Sequence, residues 1–479
     1  MMVEINSSED WIVMDFTFPT KSVSEEDDFS FASAALRGTL AAAAAAGEEG
    51  GKEERKAGVT GLEAIFQLVH LIMTDFKWEN DALQRAKKLY AQGHDMTVNS
   101  LEGAGAEEIS KSMWDGDLRF LSIAREDIED LSLEDVKGAV MAQMTTDATE
   151  VSIVGDFEGE EVEGLALRYL GSIPESRRKE GQGGGREGRR EGMMMPLPAV
   201  VTDPGRRFMQ VHLPDSNPRA FVYVSGRTPS RWGFMPASSV AGSTGEGGGP
   251  RRLVDYLASV APDADEAAKI RRHQPGFPFA SLLLIQEIMN RRLFSNIREK
   301  KQLTYDANFR WHPYDLYEGG WYSVQIAASP ENAPQVLYAC LETFEELKTD
   351  SPISHDNLDS AKKVIVNKHN NEAQLNRYWT DLMSGIQLDA LPAKDINFVR
   401  DFLPLVQSIT VKDLQLVLGT IELDESKICT CLAISETTGG MAGGVGREEG
   451  MEGGVPVPQH IKPGGGYSST IPLAAEMGS

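Results

Sequence analysis

Cysteine is scarce in this chain: Cys340, Cys429 and Cys431 are the only three among 479 residues. Three are too few for a disulfide framework, so a reducing compartment is the expectation. Cys429 and Cys431 stand two apart in a strand-like run and therefore point to one face. A lone C-x-C without a second Cys/His pair reads as buried thiols rather than a metal site. Long apolar runs are also missing. None approaches the ~18–20 residues that a membrane-spanning helix needs. Basic residues are in deficit, with 47 Lys and Arg against 72 Asp and Glu and a formal net charge of −25. Nucleic acid calls for a basic footprint and is excluded as a partner; basic or extended peptides suit such a surface better.

The motifs of metal and nucleophilic chemistry are absent too. The eight histidines are His70, His94, His212, His273, His312, His355, His369 and His460. None lies in H-E-x-x-H or H-x-x-E-H, where helical spacing sets two imidazoles and a carboxylate on one face. His369-Asn-Asn-Glu372-Ala373 comes nearest and lacks the second histidine. His70, at the edge of an apolar stripe, reads as a hydrogen-bonded core histidine. No G-x-S-x-G elbow, no Cys/His pair with motif support and no phosphate loop occurs. No metal ligand and no catalytic residue is expected on this chain. Met1–Asp27 is acidic, with neither the basic n-region nor the apolar core of a signal peptide. The expectation is a protein that stays where it is made, or a chain that begins inside a longer parent.

What is present looks globular: 41% hydrophobic and 25% charged residues. Ser22–Gly58 is acidic, then Ala-rich, then rich in Gly, Glu and Lys, and reads as an insertion. Ser176–Pro198 is Gly-rich and basic and reads as a linker. Gly226–Gln274 has Gly/Ser/Pro-rich parts with a short helix around Leu253–Val260. The tail from Thr437 is Gly- and Pro-rich and is expected to be disordered. Between these, Leu62, Ile65, Phe66, Val69, Ile72 and Met73 follow helical spacing, as do Leu282, Ile285, Met289, Leu293 and Ile297. Asp81–Ala91 and Asp356–Lys368 form amphipathic helical patterns. Trp11–Phe18, Thr149–Val154, Phe221–Val224, Tyr305–Trp311, Trp321–Ala327 and Ile428–Ala433 read as strands.

Laid side by side, the two halves repeat. Asp81-Ala-Leu-Gln-Arg-Ala-Lys-Lys88 matches Asp356-Asn-Leu-Asp-Ser-Ala-Lys-Lys363, and Leu131-Ser-Leu-Glu-Asp-Val136 matches Ile409-Thr-Val-Lys-Asp-Leu414. The latter pair are helix starts, with Ser132 or Thr410 as N-cap and Asp135 or Asp413 three residues on. An apolar strand follows each, Val151–Val154 or Ile428–Cys431. Upstream, Trp11…Phe18-Pro19 matches Trp321…Ser329-Pro330. The second copy has two strands, a long helix and a third strand ahead of Trp321, whereas the first begins almost at Trp11. The first copy is therefore expected to lack its leading half, the chain being a fragment or a partner supplying the rest.

The segment Arg291–Tyr305 (RRLFSNIREKKQLTY) joins a helix ending near Lys301 to a strand opening at Leu303. Arg298 and Tyr305 are seven apart across that junction. A guanidinium beside a phenol holds a peptide carbonyl and stabilises a developing oxyanion. Spacing alone favours a plainer reading: a surface arginine in the last helical turn and a half-buried strand tyrosine.

The pattern L-F-x-x-I-R-E-K-x-x-L-T-Y, a Gly-Trp-Tyr strand and a Ser-Pro helix start resemble the C-terminal half of insulinase-type (pitrilysin-like, inverzincin) zinc metallopeptidases. The first copy agrees through its Leu131–Val136 helix start, Val151–Phe157 and Tyr169-Leu-Gly-Ser-Ile-Pro174. The likeness spans most of Trp11–Ser435 outside the insertions. It is greatest to the branch that removes transit peptides from imported chloroplast proteins. It implies an α+β fold of two related α/β domains of the LuxS/insulinase-like metallopeptidase type. Each is an antiparallel-rich sheet packed against helices, the first N-terminally truncated. The expected layout is a partial domain over 1–175 (third of four in the family) with an insertion at 22–58, and a linker over 176–204. A complete C-terminal domain over 205–435 follows, with an insertion at 226–274, and then a tail over 436–479.

In that family two halves enclose a chamber, and the N-terminal half holds zinc through H-x-x-E-H and a distant glutamate. The C-terminal half contributes an Arg and a Tyr spaced as Arg298 and Tyr305 are, and the resemblance implies substrate binding for both. Zinc is implied only in the complementary half, so the chain is expected to be inactive alone. The implied partners are a polypeptide or transit-peptide substrate, lying along a sheet edge, and a zinc-bearing N-terminal half or partner subunit. A non-catalytic subunit or scaffold pairing with a separate zinc-bearing chain is the alternative. Chloroplast stroma is the compartment implied by the branch.

Overall fold

In strands whose neighbours lie on both sides, side chains alternate between two faces, and burial shows what covers each. The computed structural model describes residues 2–7, 12–17, 61–176, 197, 207–235, 252–347, 353–386 and 396–437. The expected insertion at 22–58, nearly all of the linker at 176–204 and the tail beyond 437 lie outside the described residues. The strands are β1 (Met2–Ser7), β2 (Ile12–Thr17), β3 (Phe208–Asp215), β4 (Ala220–Thr228), β5 (Ala307–His312), β6 (Gly320–Ala328) and β7 (Cys429–Thr437). The chain divides into two compact units, Met1–Leu83 with Ser132–Gly188, and Gln84–Leu131 with Arg189–Ser479.

The second unit is built on a five-stranded sheet in the order β3-β7-β4-β6-β5. Only β3 and β7 run parallel; the β7–β4, β4–β6 and β6–β5 pairs are antiparallel. The expected α+β architecture with an antiparallel-rich sheet holds. Strand β7 runs on to Thr437 opposite Asp215, two residues past the expected domain end, because β3 offers partners that far. Ala220, Val222 and Val224 of β4 face a core with Tyr322, Val324 and Ile326 of β6, covered by the helices Ala333–Glu346 and, toward β5, Phe277–Leu293. Leu253 and Leu257, from the short helix expected at Leu253–Val260, are buried in the same core.

Tyr223 of β4 and Cys429, Cys431 and Ala433 of β7 face the other way, against Leu101, Ile109, Met113 and Trp114 of the helix Leu101–Trp114. Both thiols thus share one face and are buried, as their spacing predicts. Burial pushes them up, Cys431 beyond any ordinary thiol, so they stay protonated. Ser112 Oγ donates to Cys429 Sγ at 3.2 Å. The helix lies so close that a Cβ at Gly105 would stand 2.4 Å from Tyr223 Cε2, and only glycine fits there. The Tyr223 hydroxyl donates to the Glu102 carbonyl at 2.9 Å, anchoring the helix start.

In the first unit, β1 and β2 form an antiparallel pair. β1, which the sequence reading did not anticipate, is to β2 what β5 is to β6, so the repeat extends one strand further upstream. The helix Gly61–Thr74 buries Leu62 and Phe66. Tyr169 is held on that helix, donating to Glu63 Oε1 at 2.8 Å and accepting from Gln67 Nε2 at 2.9 Å. His70 Nδ1 donates to the Tyr169 carbonyl at 2.8 Å, so it is hydrogen-bonded as expected, but it is half-buried rather than a core histidine. The strand expected at Thr149–Val154 is not formed: a 3₁₀ turn at Thr146–Ala148 is followed by unpaired chain. A strand exists only where a neighbour takes its amides, and among the described residues no strand pairs with this segment.

Equivalent hydrogen bonds recur in the two copies. Lys87 Nζ donates to the Glu129 carbonyl at 2.7 Å, and at the matching positions Lys362 Nζ donates to the Gln407 carbonyl at 2.7 Å. Ser132 with Asp135, and Thr410 with Asp413, form full capping boxes at matching helix starts. Burial separates the two. Asp413 is fully enclosed and receives Arg271 Nη2 at 2.7 Å and Arg272 Nε at 2.8 Å, whereas Asp135 is exposed and serves its cap alone.

Asp413→Asn should therefore cost roughly 3–5 kcal/mol in chemical denaturation, since buried Arg272 and part-buried Arg271 lose their counter-charge, while Asp135→Asn should cost little. Burial alone would raise the Asp413 carboxyl, but Thr410 and the two arginines outweigh it and hold it below the ordinary carboxylate value. Its contribution is complete above that ordinary value and is lost as pH falls through it toward the lower folded one. The Asn variant should show a flatter acid limb of stability than the parent.

Candidate functional site

The Arg298–Tyr305 junction is a fixed backbone carrying free side-chain ends. The helix Phe277–Leu293 widens into a π-helical turn over Phe294–Lys300, a form that is rare and concentrates at functional sites. Asn296, buried within the turn, donates through Nδ2 to Thr343 Oγ1 at 3.2 Å and to Glu346 Oε2 at 3.0 Å, and accepts from Lys300 Nζ at 2.7 Å. Lys301 pairs with Glu342. These contacts fasten the turn to the helix Ala333–Glu346. Arg298 points outward, exposed, its guanidinium carbon 4.8 Å from the centre of the Phe294 ring.

The helix then closes on backbone alone. Gln302 N donates to the Arg298 carbonyl at 3.1 Å and Leu303 N to the Ile297 carbonyl at 3.1 Å, with Gln302 left-handed at φ 54°. That conformation costs a residue with a Cβ roughly 1–2 kcal/mol. Beyond it, Thr304 is buried and its hydroxyl donates to carbonyls of Asp306 and Ala327. Tyr305 follows at 88% exposure. The strand expected from Tyr305 begins instead at Ala307, so Tyr305 is not a half-buried strand residue but a projecting one. Among the described residues neither the Arg298 guanidinium nor the Tyr305 hydroxyl has an intramolecular hydrogen-bond or ion-pair partner.

Strand β5, next to this junction, is an edge strand whose outer backbone groups are taken at Phe309 and at the Trp311 amide. Asn290 Nδ2 donates to the Phe309 carbonyl at 2.9 Å, and Asn290 Oδ1 accepts from Phe309 N at 2.6 Å. Gln286 Oε1 accepts from Trp311 N at 2.8 Å. Polypeptide addition along a sheet edge, the expected binding mode, is therefore blocked at β5. β3, at the far end of the strand order, pairs only with β7 among the described residues. Sequence reading did not single out Asn290, Gln286, Asn296 or Gln302. Two carboxamides at i and i+4 within an apolar helix were a readable signal for the first pair.

Two further histidines, His312 and His369, are accounted for by packing. His312 stacks on Trp321, ring centres 4.1 Å apart, with Nε2 2.8 Å from Ser323 Oγ. Its pKa is pushed down to about 3, first by burial and then by Arg310, so it is neutral. His369 lies against Phe402 and Tyr378, and burial lowers it too. Among the described residues no three His, Cys, Asp or Glu converge to hold a metal ion, and the donor set does not fit zinc.

Residues 274–365, which contain the whole junction, match the sequence profile described as the peptidase M16 inactive domain. The resemblance to the C-terminal half of insulinase-type metallopeptidases stands, and over residues 274–365 the class it resembles is the M16 inactive domain. Within that class the chain resembles stromal processing peptidase, chloroplastic. It is 31% identical to the Oryza sativa subsp. indica protein over 385 residues, covering 79% of this chain and 30% of that protein. To the Pisum sativum protein it is 30% identical over 404 residues, covering 82% and 31%. The chain thus spans under a third of the length of these relatives. Among solved structures, the peptidase M16 inactive domain from Pseudomonas fluorescens superposes with a TM-score of 0.56 at 16% identity, covering 80% of this chain and 76% of that one. A protease from Helicobacter pylori gives 0.55 at 14%, covering 78% and 77%. At such identities these likenesses speak to the fold.

Replacing both Gln286 and Asn290 by Ala should strand three backbone groups of β5. The expected cost is roughly 1–3 kcal/mol per unsatisfied group in denaturant melts. Light scattering should show concentration-dependent association through the opened edge.

Proposed function

We propose that this chain is the non-zinc-binding C-terminal half of an insulinase-type metalloendopeptidase resembling stromal processing peptidase. It binds extended precursor polypeptide and completes a chamber with a zinc-bearing N-terminal half. The observation that carries this reading is the Arg298–Tyr305 junction, where buried Asn296, Thr304 and the closing amides fix the backbone while guanidinium and phenol have no hydrogen-bond or ion-pair partner among the described residues. Groups held in place before substrate arrives lose little on binding. The guanidinium donates to a peptide carbonyl as a charge-assisted hydrogen bond, and the phenol donates to the same oxygen as negative charge gathers on it. Both contacts come from side chains, in keeping with the closed β5 edge.

No chemical step is assigned to a metal on this chain; zinc belongs to the complementary half. The net charge of −25 suits basic, transit-like peptides. The relatives' chloroplastic designation supports work in the chloroplast stroma.

The test is reconstitution. The purified chain alone should not cleave a transit-peptide precursor, and adding a zinc-bearing N-terminal half should give zinc-dependent cleavage. Arg298→Ala and Tyr305→Phe should each lower that turnover on the order of 100-fold while leaving the melting temperature unchanged. Zinc-dependent turnover by this chain alone would refute the division of labour. Full activity in both variants would refute the site, leaving a scaffold that contributes assembly contacts.

A further inference from the structure

We propose that Gln302 is a third polypeptide-contacting residue, its carboxamide pairing with a backbone amide of the extended chain held by Arg298 and Tyr305. This rests on the reading of those two residues. Gln302 sits at φ 54°, a conformation that favours glycine. The chain has one other non-glycine residue at positive φ among those described, Asp115 at φ 48°, and aspartate is a type that tolerates this region. Glutamine is not.

Nothing in the fold asks for a glutamine side chain here. The helix end is closed by the main-chain amides of Gln302 and Leu303. The side chain is exposed and has no intramolecular partner among the described residues. Glycine would end the helix equally well and without strain. Strain held at a position where the side chain serves no internal purpose points to an external one.

The chemistry is specific. A carboxamide presents a donor and an acceptor side by side, as a peptide group does, and the same molecule shows this pairing. Asn290 donates to the Phe309 carbonyl at 2.9 Å and accepts from Phe309 N at 2.6 Å, reading both polar groups of one backbone residue. Gln302 offers that arrangement to solvent, four residues after Arg298 and three before Tyr305. Arg298 supplies donors only, so a bound peptide's N–H groups need an acceptor, which the Gln302 carbonyl oxygen provides. The ligand class is any extended polypeptide backbone, without demand on its side chains.

Binding of a fluorescently labelled, unstructured Ser/Arg-rich peptide to the full chain, followed by anisotropy alongside thermal unfolding, tests this. Gln302→Gly should raise the melting midpoint and weaken the peptide roughly three- to tenfold, as loss of one or two neutral hydrogen bonds does. Gln302→Met, which keeps size and strain but not the amide, should weaken binding equally with no gain in stability. If both variants bind like the parent while Arg298→Ala binds worse, the Gln302 contact is wrong and the Arg298–Tyr305 reading survives. A Gly variant no more stable than the parent would remove the strain premise and overturn the proposal. If Arg298→Ala and Tyr305→Phe also leave binding unchanged, or the parent binds no peptide, the underlying reading falls and this one with it.

Discussion

Everything in the second unit depends on β4 and β7 being buried on both faces. Their alternate side chains enter two separate cores, Val222 and Val224 toward one helix and Tyr223 and Cys431 toward another. A slip of one residue in either strand would exchange the two sets and leave neither core filled. That fixes the register, and the register fixes the helices. The helix Phe277–Leu293 must lie where its Leu282, Ile285 and Met289 meet the sheet. This in turn sets Gln286 and Asn290 against β5 and delivers the π-turn to the rim. On the other face the contact is close enough that glycine is required at position 105.

Much of this was legible from local pattern, and the exceptions are instructive. Helical periodicity at Leu62–Met73 and Leu282–Ile297, the strands flanking Trp321 and Ile428, and the paired capping boxes all arise from interactions a few residues apart. They are therefore written in short windows. Cys429 and Cys431 were placed on one face by period-two geometry alone. The strand at Thr149–Val154 failed for the opposite reason: its apolar, β-branched residues meet the local requirement, but a strand also needs a partner that no local window can supply. Likewise nothing near Leu101–Trp114 announces that this helix is to cover β7, more than 300 residues later, because that contact is decided by the sheet.

The candidate site shows the same limit at finer grain. The identities of Arg298 and Tyr305 and their spacing were readable, and the resemblance gave them a role. Their exposure was not readable. Tyr305 looked like the first residue of a strand, and it projects because Thr304, buried just before it, turns the chain by bonding across to Ala327. Left-handed backbone at Gln302 was equally hidden, since glutamine gives no hint of it. The junction departs from the usual agreement between residue and conformation at one position, beside the two side chains that have no internal work. Local disagreement within an otherwise consistent fold is where function is expected to lie.

The carboxamides of Gln286 and Asn290 give the sheet a direction. At β5 the ladder ends against side chains from its own domain, whereas β3 has no further strand among the described residues. A sheet with two open flanks can grow from both sides; one sealed on a single side can grow only from the other. Two neutral amides, without any added charge, thereby give the β5 flank its closure. The closed flank also lies beside the junction, so the surface bearing Arg298 and Tyr305 stays clear of stray strands.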